Sequence, residues 1–239
     1  MKDEIRRNLD RVRSAVEKAA VAAGRDKNTV KLVAVTKSHP AEVILSAIAA
    51  GVTILGENKV QEADGKVAAV GRLKAEWHLI GRLQSNKARK AVQLFDVIHT
   101  VDSIELAERL ERICIEEGRE ELKILVQADL AGEAAKSGIP ERDLPDLIEF
   151  LNRCKYLRFL GLMLVPPFYD DVEKVRPFFR RLRELRDGLR QSGAFSAGSG
   201  ELSMGMSHDF ETAIEEGATI VRVGTAIFGE RKYVTAESD

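Results

Sequence analysis

Eight short apolar runs, each followed by a stretch long enough to carry the chain back, restrict this sequence more than anything else in it. They lie at 32–35, 52–55, 77–81, 97–101, 124–128, 160–165, 202–206 and 219–223. Runs this short and this rich in β-branched residues read as buried strands. Between them, 40–50, 59–70, a segment opening at Gln84-Ser85-Asn86, one capped by Asp102 or Ser103, 141–152, 172–191 and 209–216 read as helices. Parallel strands need crossover helices, and eight such units close into a barrel. An open doubly wound sheet has the same periodicity and is not distinguished at this level. Ahead of the first strand, Ile5, Leu9, Val12, Val16, Ala19 and Ala23 recur three or four apart up to Gly24, the pattern of one more amphipathic helix. The expected fold is α/β: a single (β/α)8 TIM barrel with an extra N-terminal helix, one domain over residues 1–239.

The 239 residues suit that expectation, close to the ~250 typical of such barrels. Charge is balanced at 37 basic against 38 acidic residues, so no global field favours nucleic acid or a membrane surface. No segment approaches the ~18 apolar residues of a membrane span, and the N-terminus lacks the apolar core of a signal peptide. Cys114 and Cys154 form no paired motif, which fits thiols in a reducing cytoplasm. His39, His78, His99 and His208 show no metal-ligand spacing, so no metal is expected, and His78 reads as a hydrogen-bonded core residue. The arginines of 176–190 alternate with Glu184 and Asp187, as on a solvated helix face.

Chemistry is expected where strands end, because ligands of parallel α/β folds bind at that edge. The first run, in KLVAVTKSHP, delivers Lys37 there, and a partly desolvated strand-end lysine can lose its proton and attack an aldehyde. The last run ends VRVGTAIFG; alternation puts Ile220, Arg222 and Gly224 on one face and the two valines on the other. If the valines face the helices, Arg222 points into the barrel, where it requires an acceptor. Gly224 and Thr225 then precede a segment that could form one turn of helix, the place where barrels commonly seat phosphate. The seventh run, LSMGMS, offers Ser203, Gly205 and Ser207 at period two. A lysine, a buried arginine and a Gly-Thr seat together suggest a phosphorylated aldehyde.

GENKVQE at 56–62, WHLIGRLQSNK at 77–87, GLM at 161–163, LSMGMS at 202–207 and VRVGTAIFG at 221–229 resemble the family of pyridoxal-phosphate homeostasis proteins, which is similar in fold to the barrel domain of alanine racemase. The resemblance implies a cytoplasmic protein of vitamin B6 homeostasis that holds pyridoxal 5'-phosphate (PLP) as a Schiff base on Lys37. It implies Arg222 near the pyridine nitrogen, Ser207, Gly224 and Thr225 at the phosphate, and Asn58 and Ser203 around the ring. Lys59 departs from the family, which usually has an aromatic after Gly-Glu-Asn, and raises the question of a second reactive lysine. PLP-requiring apo-enzymes are the partners this role suggests, with the chain acting as a monomer.

PLP chemistry relies on a protonated ring, which a permanently cationic arginine disfavours. Racemases with such an arginine add a second acid/base residue from another domain. This chain ends at Asp239, and Tyr156, Tyr169 and Tyr233 lie outside the matched motifs. The expectation is therefore PLP binding without substantial turnover; the alternatives are a racemase-like PLP enzyme and a lysine aldolase acting on a sugar phosphate, which the motifs disfavour.

Overall fold

The computed structural model describes residues 2–132, 137–196 and 198–230. Its strands are β1 (Lys31–Val35), β2 (Ile54–Glu57), β3 (Glu76–Leu79), β4 (Val97–Val101), β5 (Leu122–Asp129), β6 (Ile139–Pro140), β7 (Leu157–Met163), β8 (Glu201–Ser203) and β9 (Ile220–Val223). The α-helices are α1 (Lys2–Ala22), α2 (Ala41–Ala49), α3 (Val60–Val70), α4 (Ala88–Leu94), α5 (Ile104–Glu116), α6 (Leu144–Arg153), α7 (Arg176–Gln191), α8 (Phe210–Glu215) and α9 (Thr225–Phe228). Strand order runs β4-β3-β2-β1-β9-β8-β7-β5, and a β4–β5 pairing closes the ring with every neighbour parallel. Eight strands thus form a closed barrel, which removes the open-sheet alternative.

Two-residue periodicity sorts the side chains. Val33, Ile54, Val97, Leu125, Met163 and Ile220 pack together inside the barrel, while neighbours such as Ala34, Leu55, Ile98, Ile124 and Val221 join the core under the helices. The extra helix α1 buries Ile5, Leu9, Val12 and Val16 and contacts α2, α8 and α9, so it covers the seam where the first and last units meet. Asn8 Nδ2 donates to Ile227 O across that seam at 3.1 Å. Among the described residues no helix is long and apolar enough to cross a membrane.

The departures from expectation have local causes. The second strand begins at Ile54 rather than at residue 52, because Gly51 (φ 103°) ends α2 and the Val52 amide turns back to Ala47 O at 3.0 Å. β8 stops at Ser203, two residues before Gly205 (φ 91°). A Cβ on Gly205 would lie 2.7 Å from Ala213 Cβ and 2.9 Å from Phe210 Cα, so glycine lets α8 approach. Ser207 therefore sits in a turn beyond the strand, not at its next inward position. The expected helix over 172–191 divides into a 3-10 turn at Val172–Lys174 and α7, which starts just before Pro177. β6 was not expected; its two residues pair with Ala128 and Asp129.

Candidate functional site

Lys37 lies two residues beyond the end of β1 and is half-buried. The residues on either side of it are held by one buried cluster from β2 and α3. Lys66 Nζ donates to Thr36 O (2.7 Å), Glu57 Oε1 (2.8 Å) and Glu62 Oε1 (2.6 Å), which uses all three of its protons. Thr36 Oγ1 donates to Glu57 Oε1 at 2.5 Å, and the Ser38 amide donates to Glu62 Oε1. Burial pushes the Glu57 carboxyl above its usual range, against the pull of Lys66 and Thr36. Ser38 adopts φ 65°, a left-handed conformation that costs a non-glycine residue about 1–2 kcal/mol. The bond to Glu62 helps hold that turn, and the turn sets the direction in which Lys37 leaves the strand.

The far end of the chain supplies the other wall. β9 pairs with β1 in the register Val33↔Arg222 and Ala34↔Val223, so Gly224 arrives beside the end of β1. Lys37, His39, Gly224, Thr225 and Gly229 line one hollow, with Val35 at its base. Ser207 Oγ accepts from the amides of Gly224 (3.2 Å) and Ala226 (3.4 Å), tying the LSMGMS turn to the start of α9. The lysine and the Gly-Thr seat expected from the sequence are thus neighbours, with Ser207 bonded to that seat.

Arg222 points into the barrel, as the alternation implied, and is 3% exposed. Its acceptors are neutral: Nη1 donates to Ser203 Oγ (2.7 Å) and Nη2 to Leu164 O (2.9 Å). Burial pushes the guanidinium pKa down to about 10, with Asp209 acting in the opposite sense, so Arg222 keeps its charge at neutral pH. Burial also raises the Asp209 carboxyl, whose Oδ1 accepts from the Met206 amide at 2.6 Å. Ser203 continues inward to His99, and His99 to His78, which is the core histidine expected.

Asn58 and Lys59 face a neighbouring hollow that they share with Gly81, Arg82, Gln84 and Lys87. Asn58 Oδ1 is buried and has no hydrogen-bond partner among the described residues. Lys59 is exposed at the N-terminus of α3, so it lines a different hollow from Lys37. Tyr233 lies outside the described residues. Sequence reasoning missed Lys66, Glu62, Asp209 and His99. One signal was available, because Lys66 stands among the buried positions Val60, Ala63, Val67 and Val70 of α3, where a lysine requires partners.

The family described as alanine racemase, N-terminal domain, matches residues 2–232. The pyridoxal phosphate homeostasis protein of Aquifex aeolicus is 43% identical over 225 residues, covering 94% of this chain and 97% of that protein. Its namesake in Pseudomonas aeruginosa is 43% identical over 229 residues, covering 96% of each. PipY of Synechococcus elongatus PCC7942, solved with PLP bound, superposes with a TM-score of 0.83 at 40% identity, over 94% of this chain and 100% of that one. Alanine racemase from Corynebacterium glutamicum, at 18% identity and a TM-score of 0.68 over 96% of this chain and 61% of that one, shares the fold. The chain therefore belongs to the family of pyridoxal phosphate homeostasis proteins, built on the barrel of the alanine racemase N-terminal domain.

Proposed function

We propose that this protein binds PLP at the mouth of its barrel through Lys37, and that it maintains the cytoplasmic pool of the cofactor without substantial turnover of its own. The observation that carries the reading is the single hollow shared by Lys37, Gly224 and Thr225. The residues fit such a ligand. Ser207 gathers the amides of Gly224 and Ala226 beside the lysine, and the buried Asn58 Oδ1 has no hydrogen-bond partner among the described residues. PLP supplies an aldehyde carbon that a primary amine condenses with as a Schiff base, releasing water, and a ring that draws electrons when its nitrogen is protonated. Lys37 provides the amine. Ser207, Gly224 and Thr225 hold the phosphate, Asn58 and Ser203 flank the ring, and Arg222 faces its nitrogen.

Arg222 is one reason for expecting little turnover. A guanidinium that keeps its proton to about pH 10 opposes a second positive charge beside it, so the ring nitrogen stays unprotonated. Apo-enzymes that require PLP are the recipients this role implies. A racemase-like enzyme is the second reading, favoured by the match to the alanine racemase domain. Incubation of the PLP-loaded protein with a panel of L-amino acids in heavy water separates the two. The expected result is no α-deuteration above that of free PLP; incorporation at rates typical of enzymes, lost with Lys37, would establish the racemase reading.

Arg222→Gln should act on both cofactor and fold. Ser203 Oγ and Leu164 O would lose a charged donor, which costs about 1–3 kcal/mol for each, and every kcal/mol lost lowers Tm by about 2–4 °C. PLP should be retained less firmly, and its absorption band should become pH-dependent as the ring nitrogen begins to titrate. An unchanged band and pH response would remove Arg222 from the ring.

A further inference from the structure

A hydrogen-bonded chain runs down the barrel from Arg222 towards the opposite mouth. Arg222 Nη1 lies 2.7 Å from Ser203 Oγ, Ser203 Oγ 2.9 Å from His99 Nδ1, and His99 Nε2 2.8 Å from His78 Nδ1. His78 Nε2 stands 3.3 Å from Glu76 Oε1, close enough for charge to matter though not aligned as a hydrogen bond. Arg222, Ser203, His99 and His78 are all buried, whereas Glu76 is part-exposed on the far face with Lys31, Lys123, Arg158 and Glu201 around it.

The guanidinium end fixes the direction of the chain. A guanidinium only donates, so Ser203 Oγ accepts from it, and the serine proton must go elsewhere. The acceptor within reach is His99 Nδ1. Burial, then His78 and Arg222, hold the pKa of His99 well below the usual imidazole value, so this ring is neutral and carries its one proton on Nε2. That proton is donated to His78 Nδ1, which leaves His78 with its proton on Nε2, facing the carboxylate. The reverse direction fails at Ser203, which would take two donors and have no acceptor in the chain for its own proton. The Glu76 carboxyl is held below its usual range, first by His78 and then, against the effect of burial, by Lys123 and Lys31.

We infer that His99 and His78 are positioning residues for Arg222: a one-way chain of donors from the guanidinium to His78 holds Ser203 as an acceptor and so fixes the guanidinium in orientation. The assignment of a role towards PLP rests on the reading that Arg222 faces the ring nitrogen; the proton assignment does not. The first test therefore uses the protein free of cofactor. Two-bond 15N–1H spectra of 15N-histidine-labelled protein at neutral pH should show His99 protonated on Nε2 and no proton on the Nδ1 of either ring. A proton on His99 Nδ1 or on His78 Nδ1 would overturn the chain.

The second test asks whether the chain acts on the site. His99→Asn keeps an acceptor, Oδ1, for the Ser203 hydroxyl; His99→Leu removes it. Loaded with PLP, His99→Asn should keep the wild-type absorption band and its pH response, and His99→Leu should shift both. Identical bands and pH responses in all three proteins would overturn the positioning role. Failure of the wild-type protein to take up PLP would instead refute the proposed function, and the NMR result would still decide the chain.

Discussion

Lys37→Ala protein, incubated with PLP, reduced with borohydride and digested, is expected to carry no pyridoxyl group on any peptide, whereas wild-type protein carries one on the peptide containing residue 37. The loss should be close to complete, because among the described residues Lys37 is the one lysine lining the hollow that holds Gly224 and Thr225. Its fold should survive. Lys37 lies outside both apolar clusters, so its removal opens no cavity in either. Lys59 is the natural competitor. It opens onto the adjoining hollow, and an adduct found mainly there in the wild-type protein would sink the assignment of Lys37.

The Lys66→Met variant should suffer the largest loss of stability, on the order of 3–5 kcal/mol, because removing one partner of a buried ion pair strands the other. Glu57 would keep only Thr36 as a partner, and one of its oxygens already lacks one. The pH dependence follows from the direction of its shift. Glu57 titrates above its unfolded value in the native state, so between those two values the folded protein binds more protons and stability falls as pH rises. Without Lys66 the native value climbs further and that window widens. Urea titrations at pH 5 and pH 8 should therefore show a smaller deficit, relative to wild type, at the acidic pH; a deficit independent of pH would mean that Glu57 is not the stranded charge. The same variant releases the carbonyl of Thr36 and a carboxylate that holds Ser38, so PLP uptake should weaken with it.

The elements that decide the fold were legible because each is defined within a few consecutive residues. Alternation along VRVG placed Arg222 inside and its valines outside, and the closing register of β1 with β9 agrees. Strand ends were less legible. The start of β2 depends on how α2 is capped, and the end of β8 on how closely α8 packs against Gly205; neither is a property of the strand's own residues. β6 is two residues long, too short to have a period. At the site, Lys37, Gly224 and Thr225 could be read from their positions at strand ends. The pairs Lys66–Glu57 and His99–Ser203 could not, since each joins side chains from different elements, the second across 104 residues.

The seam under α1 has a consequence for how the protein is made. Lys37 belongs to the first βα unit and its Gly-Thr neighbour to the last, joined by a ladder that pairs Lys31 with Ile220. The two walls meet only when residues 37 and 224–225 are both present, so an emerging polypeptide cannot complete the proposed cofactor site before residue 225 has left the ribosome. Contacts this distant in sequence are slow to form, because the intervening chain must first be ordered. A ligand that bridges the two walls binds the closed ring and not the partly wound one, and by mass action it draws late folding intermediates towards the finished barrel. Cofactor supply during synthesis would then set how much chain reaches the native state.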